Sequence, residues 1–281
     1  IKKDKRSRTA FGVYRCKYLK HKGVRVKLTV NTCKLPEPLI HEGDKRYKPL
    51  FNDFTISRGY SFGVCFSDAI YQFTLDGKFI RMFSGPAGPD WEPGKLCSLF
   101  MARIRIDGNR ENGDLYVLDH RRVQVFTPDG ELDDVWYGGT GEGRLERPRD
   151  IAVDGKRGVV YITDEGVIKK YTLFGNYIGK IEPKIKEGGR WRKIKWFDII
   201  EVDNKTGLIY VTEPVNTKEA GPTDNLHVFT PDGKWLGGIW WWELLKQRVG
   251  VWDIGVDGNW LYLAGGAGVV GVYRVKLKGG K

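Results

Sequence analysis

The chain reads as an all-β protein, a β-propeller of four-stranded antiparallel blades, and three observations predict it. The phrase Val123-Gln-Val-Phe-Thr-Pro-Asp-Gly130 returns as Leu226-His-Val-Phe-Thr-Pro-Asp-Gly233, with looser copies at Ile70-Tyr-Gln-Phe-Thr-Leu-Asp-Gly77 and Ile168-Lys-Lys-Tyr-Thr-Leu-Phe-Gly175. Each copy follows two further strand-like runs, so that the repeating unit holds four short strands joined by tight turns. The unit recurs every 47 to 54 residues, a period at which a blade cannot cover both of its faces alone and must stack on neighbours in a ring.

The first strands begin with Asp53-Phe-Thr-Ile-Ser57, Arg103-Ile-Arg-Ile-Asp107, Asp150-Ile-Ala-Val-Asp154, Ile199-Ile-Glu-Val-Asp203 and Asp253-Ile-Gly-Val-Asp257. Second strands follow over 62–67, 115–118, 159–163, 208–212 and 260–264, where β-branched and aromatic residues concentrate. Third strands carry the repeated phrase, whose Asp-Gly closes the hairpin to the fourth. Five units are visible and the last ends just after its third strand. An alternating pair over 11–19 and 24–31 offers strands to close the ring from the other terminus. Counting back one period from Asp53 places that pair inside a degenerate first blade, so six blades are favoured, with five and an added N-terminal hairpin as the alternative. The domain reading is a basic segment over 1–50, acting as degenerate blade or closure strands, and propeller blades over 51–281.

The lead-in Gly141-Glu-Gly-Arg-Leu-Glu-Arg-Pro-Arg-Asp-Ile-Ala-Val-Asp154, then Val160-Tyr-Ile-Thr-Asp164, and Leu115-Tyr-Val-Leu-Asp-His-Arg-Arg-Val-Gln-Val-Phe126 resemble the NHL repeat. The resemblance spans about residues 50–281 and implies a propeller; some members of that family bind single-stranded RNA on a basic face. This chain departs from the pattern in a shortened turn at His120, a lengthened unit over 213–225 and a last unit without Asp-Gly.

Composition narrows the function. The 281 residues are 41% apolar and carry a formal charge of +12. Residues 1–50 hold 15 basic against four acidic side chains, a net +11, so the remaining body is close to neutral. That asymmetry is expected of an arm that meets a polyanion or an acidic partner. No segment approaches the ~20 unbroken apolar residues of a membrane span, and no hydrophobic signal region follows the N-terminus, which favours a cytoplasmic or particle-associated location. The four cysteines are too few and too scattered to staple the domain. Cys16, His21, Cys33 and His41 could be combined into a zinc set, but their spacing fits no standard ligand pattern, so no metal and no cofactor are expected.

Two insertions break the repeat. Residues 180–196 contain seven basic against two acidic side chains, with Arg190, Trp191, Arg192, Lys193, Lys195 and Trp196 at their centre. Cations interleaved with indoles neutralise phosphates and stack on exposed bases, a mode suited to single strands. With Lys17, Lys20, Lys22, Arg25 and Lys27 they form the candidate polyanion-binding set. The second insertion contains Trp240, Trp241 and Trp242, a candidate protein interface, because a strand splits successive side chains between two faces. Acids at the second-strand ends, Asp68, Asp119, Asp164 and Glu213, would ring one rim of the channel, though such acids more often cap turns. His120 and His227 fit structural positions, and no nucleophile set or phosphate-cradling loop is present. The reading is therefore a non-catalytic binding platform with a protein partner or oligomeric assembly, and single-stranded nucleic acid as a further partner. The alternatives are a structural subunit of a larger particle and a channel-centred metal-dependent hydrolase or lyase.

Overall fold

The computed structural model describes residues 17–21, 24–28, 51–65, 69–75, 78–85, 92–96, 104–217, 221–240, 250–257, 260–266 and 271–276. An N-terminal hairpin pairs β1 (Lys17–His21) with β2 (Val24–Leu28). The first blade is β3 (Phe51–Ser57), β4 (Tyr60–Cys65), β5 (Ile70–Thr74) and β6 (Phe79–Phe83). The second is β7 (Ile104–Gly108), β8 (Leu115–Asp119), β9 (Arg122–Phe126) and β10 (Leu132–Trp136). The third is β11 (Pro148–Asp154), β12 (Val159–Asp164), β13 (Val167–Thr172) and β14 (Tyr177–Ile181). A separate hairpin, β15 (Lys184–Glu187) and β16 (Arg190–Lys193), precedes the fourth blade of β17 (Ile200–Val202), β18 (Ile209–Thr217), β19 (Gly221–Phe229) and β20 (Trp235–Trp240). A three-stranded sheet follows, β21 (Gly250–Asp257), β22 (Trp260–Gly266) and β23 (Gly271–Lys276).

Each sheet is an antiparallel meander in sequence order. The inner strands β3, β7, β11, β17 and β21 neighbour one another in that order and all five line one central cavity. That is a propeller arrangement. Where the sequence favours six blades, the described residues form four four-stranded blades and one three-stranded sheet; β2 runs beside β23. No helix among the described residues is long and apolar enough to cross a membrane.

Packing between blades explains the recurring residue types. Phe62, Val64 and Ile70 of the first blade pack against Ile104, Ile106, Leu115 and Val117 of the second. Tyr116, Val123 and Trp136 then meet Ile151, Val153, Val160 and Tyr171, and Tyr161, Ile168 and Ile181 meet Ile200, Ile209 and Phe229. Burying each such side chain contributes about 1.5–3 kcal/mol, so stacking on a neighbour stabilises each blade.

The repeated Thr-Pro-Asp-Gly is the turn from third to fourth strand. Gly130 N–H donates to the Thr127 carbonyl at 2.9 Å, and Gly233 N–H to that of Thr230 at 2.9 Å. Both glycines are left-handed, with φ of +80° and +91°, which costs a residue with a Cβ. A Cβ at Gly130 would lie 2.7 Å from the Phe83 ring, and one at Gly233 2.6 Å from Ile181. Phe83 and Ile181 each end the outer strand of the preceding blade, so the glycine lets the turn close down on its neighbour.

Candidate functional site

The rim acids are consumed structurally. Asp119, fully buried, accepts Arg122 Nη2 at 2.8 Å, Arg122 Nε at 3.0 Å and Gln124 Nε2 at 3.1 Å. Asp164 accepts the amides of Glu146 and Arg147 at 2.9 and 2.7 Å and pairs with Lys169 Nζ at 2.9 Å. Glu213 takes a two-pronged contact from Arg192, at 2.6 and 2.8 Å, and a third from His227 Nε2 at 3.1 Å. Burial pushes the Glu213 carboxyl up, but the bonds from His227 and Arg192 outweigh it and hold the carboxyl below its ordinary range. Asp68 lies outside the described residues. The turn-capping reading holds for Asp164, which takes two backbone amides, whereas Asp119 and Glu213 take side-chain donors; His227 is fully buried.

The basic insertion is a hairpin. Its turn, Gly188-Gly189, has φ of +55° and +83°, the two positive values that a two-residue hairpin loop demands. Ile185 and Ile194 sink into the core between the third and fourth blades, and Arg192 ties the hairpin to Glu213 while also reaching Glu187 at 2.5 Å. Lys193 pairs with Glu182 at 2.7 Å and Lys180 with Glu142 at 2.8 Å. Lys184, Lys186, Arg190 and Lys195 project into solvent. Trp191 is 61% exposed with its edge toward Trp235, and Trp196 is 44% exposed beneath Arg149, whose guanidinium sits 5.1 Å from the ring centroid. One side of the hairpin is thus riveted to the ring while the other presents cations and indole faces.

Trp240 belongs to the fixed side. Its ring meets His227 edge-on at 5.6 Å and Trp235 at 6.4 Å, and its Nε1 donates to Glu187 at 3.4 Å. Trp241, Trp242 and Lys22 lie outside the described residues. Lys17 and Lys20 fall on β1, and Arg25 and Lys27 on β2, apart in sequence from the β15–β16 hairpin. Cys16, Cys33 and His41 lie outside the described residues, and His21 ends β1.

The hub was not legible as a site. Asp53, Arg105, Asp150 and Asp253 share one level of the inner strands, opposite Val64, Leu118, Thr163 and Ala264. The next level holds Thr55, Asp107, Ala152, Glu201 and Gly255, each opposite a Phe or Tyr of the second strand. The register corrects the sequence alignment of the second blade by two residues: Arg105, not Arg103, stands level with Asp53, Asp150 and Asp253, while the fourth blade carries Ile199 there. An arginine among aspartates broke the pattern by which that position could have been recognised.

These acids staple blades together. Asp53 accepts the Ile106 amide of the next blade at 2.9 Å, Asp107 that of Val153 at 2.7 Å, and Asp150 that of Ile200 at 2.8 Å. Asp53, Asp107 and Asp150 each also bond the amide of the following residue. Arg105 stands 3.8 Å from both Asp53 and Asp150. Burial pushes Asp53 up to about 6 and Asp150 to about 8, only partly offset by the Arg105 guanidinium. Burial likewise raises Asp253, reinforced by Asp53 and Asp150, and Glu201, reinforced by Asp107. Among the described residues no group of His, Cys, Asp and Glu has the arrangement to hold a metal ion.

No protein-family model matches the chain, and no curated protein matches it in sequence. Solved structures do match in fold. A gluconolactonase from Xanthomonas campestris aligns at a TM-score of 0.56 and 13% identity, over 96% of this chain and 99% of that one. Glutaminyl cyclase from Myxococcus xanthus aligns at 0.52 and 13%, over 81% and 90%. A chain of the nidogen/laminin complex aligns at 0.49 and 13%, over 90% and 86%. At such identity the likeness shows the fold alone: this chain is a β-propeller protein.

Proposed function

We propose that the protein is a non-catalytic binding platform of NHL-like type for an anionic macromolecular partner, engaged through the β15–β16 hairpin. The observation that carries this reading is the two-sidedness of the hairpin. Ile185 and the Arg192–Glu213 contact anchor it, while Lys184, Lys186, Arg190, Lys195, Trp191 and Trp196 face solvent. An anchored aromatic and cationic surface loses little side-chain freedom when a partner docks. Lys193 and Arg192 belong to the reading as the ion-paired base of that surface, and Lys17, Lys20, Lys22, Arg25 and Lys27 extend the positive charge through the N-terminal segment. That segment, residues 1–50, also closes the ring: β2, alongside β23, serves as the fourth strand of the fifth blade, and five blades form the circle.

The fold itself selects no chemistry, because propellers named as a gluconolactonase and as a glutaminyl cyclase share it. The test is a titration of labelled single-stranded RNA and of polyglutamate across a salt series. Micromolar or tighter binding of either, with an affinity that falls steeply with salt, is expected. Exchanging Lys184, Lys186, Arg190 and Lys195 for Glu should abolish it, and absence of binding to both at low salt sinks the reading.

A second reading, a subunit of a larger assembly, is favoured by the outer strand of the first blade. There Phe79, Ile80 and Met82 are all exposed, on a strand that is the outer edge of its sheet among the described residues. Sedimentation at high salt separates the two: a defined oligomer favours assembly, and a monomer removes it.

A further inference from the structure

The four-stranded blades turn into their outer strands in one register. A third-strand threonine amide donates to the carbonyl just before the outer strand, Thr74 to Lys78, Thr127 to Glu131, Thr172 to Asn176 and Thr230 to Lys234, at 2.8 or 2.9 Å. Each outer strand then bulges at its second residue, where the pairing skips Ile80, Asp133, Ile178 and Leu236. Three of these bulged residues are exposed aliphatics. The second blade puts an acid there, and Glu131 where the other blades carry Lys78, Asn176 and Lys234. From residue 129 to 137 its edge carries Asp129, Glu131, Asp133 and Asp134 and no base. Glu131 and Asp133 are exposed, and so are Leu132 and Tyr137 beside them. The Arg81 guanidinium of the first blade approaches this edge at Asp129, at 3.8 Å, and Asp129 remains 90% exposed.

The β15–β16 hairpin is its complement. Lys184 and Lys186, two apart on a strand, share one face of β15 while Ile185 between them sinks into the core. With Arg190 they surround the exposed Trp191. Cations set against acids fix the register of a contact and speed its encounter, and an exposed indole set against Leu132 and Tyr137 supplies the apolar centre that such a contact needs. Within one chain the third blade stands between β10 and the hairpin, whose Ile185 is buried among residues of the third and fourth blades. The two surfaces therefore meet only between copies. Outside residues 1–50 the chain is close to neutral, so the segregation of charge into these two patches governs how one body approaches another.

We propose that the β15–β16 hairpin of one copy docks on the acidic outer edge of the second blade of another, with Lys184, Lys186 and Arg190 set against Glu131, Asp133 and Asp134, and Trp191 against Leu132 and Tyr137. This rests on the reading of the hairpin as a surface for an anionic macromolecule and identifies that macromolecule as the chain itself. Because the two patches differ, the contact runs head to tail and adds copies into a ring or a filament.

Sedimentation velocity of the full chain tests it. In low salt the sedimentation coefficient should climb with protein concentration, and the climb should vanish at ~1 M salt, where charges more than about 3 Å apart are screened. The strand variant, Glu131→Lys with Asp133→Lys, and the hairpin variant, Lys184→Glu with Lys186→Glu and Arg190→Glu, should each lose the climb. Mixed in equal amounts they should associate again, because the first retains the basic hairpin and the second the acidic edge. A parent chain without the climb, a folded strand variant that associates as the parent does, or a mixture of two folded variants that stays apart would overturn the proposal. If the hairpin variant fails to fold, the strand variant decides alone. Polyglutamate separates two failures: a parent chain that binds it without self-association overturns the docking and leaves the hairpin's anionic partner in place, whereas one that binds neither polyglutamate nor single-stranded RNA and does not self-associate removes both.

Discussion

Asp150 shows how a single side chain can serve the fold and tax it together. Its carboxyl joins two blades through the Ile151 and Ile200 amides, yet burial beside Asp53 and Asp253 makes the ionised form costly. A carboxyl whose folded pKa lies above its unfolded value of about 3.9 holds its proton more tightly in the folded state. The stability it lends is complete below that value and is lost as pH rises through about 6 for Asp53 and about 8 for Asp150. The groups facing this cluster are Arg105, Arg110, Asp107, Asp198, Glu201 and Asp253, and of these the acids with resolved shifts are raised as well. Melting temperature should therefore fall steadily from pH 4 to pH 8.5, and Asp150→Asn should flatten the upper half of that curve. A curve that rises over the interval refutes the assignment. None of this was legible in sequence, where Asp53, Asp150 and Asp253 look like strand starters; their convergence arises only when the ring closes.

At the level of elements the repeat was read well. The phrase ending in Asp-Gly is a third strand and its outer turn, and the reason is steric as well as conformational. Gly130→Ala should destabilise by about 1–3 kcal/mol from left-handed backbone strain, with an added cost from Phe83. Gly189→Ala, equally left-handed but with nothing within 4 Å of its Cβ, should cost only the strain. Denaturant midpoints for the two variants check this, and equal losses would show that the neighbouring blade yields. The basic insertion shows no strand period in sequence because Lys and Arg dominate both of its faces; the Gly188-Gly189 pair is the signal that marks a hairpin. The lengthened fourth unit was visible and is the long β18–β19 ladder, paired out to Thr217 and Gly221.

For the whole molecule, the open question is circular closure. Period counting suggests six blades because one period back from Asp53 reaches about residue 3, which puts β1 and β2 inside a first blade, yet β2 lies beside β23. A hairpin that closes a ring and a hairpin inside a worn blade share the same alternation, and only their neighbours distinguish them. If β2 completes the fifth blade, removing residues 1–28 should cost at least about 2 kcal/mol, read as roughly 4–8 °C in melting temperature for a chain of this size. An unchanged melting temperature would leave the three-stranded sheet as the natural end of the fold.

The carboxylate staples make the ring report on itself. The amides of Ile106, Val153, Ile200 and Val251 are held by Asp53, Asp107, Asp150 and Asp224, side chains of the neighbouring blade. Fraying within a sheet leaves those bonds in place, whereas separation of blades breaks them. In hydrogen exchange these four backbone positions act as strain gauges for the circle, quickening together when blades part and holding steady when an outer strand frays.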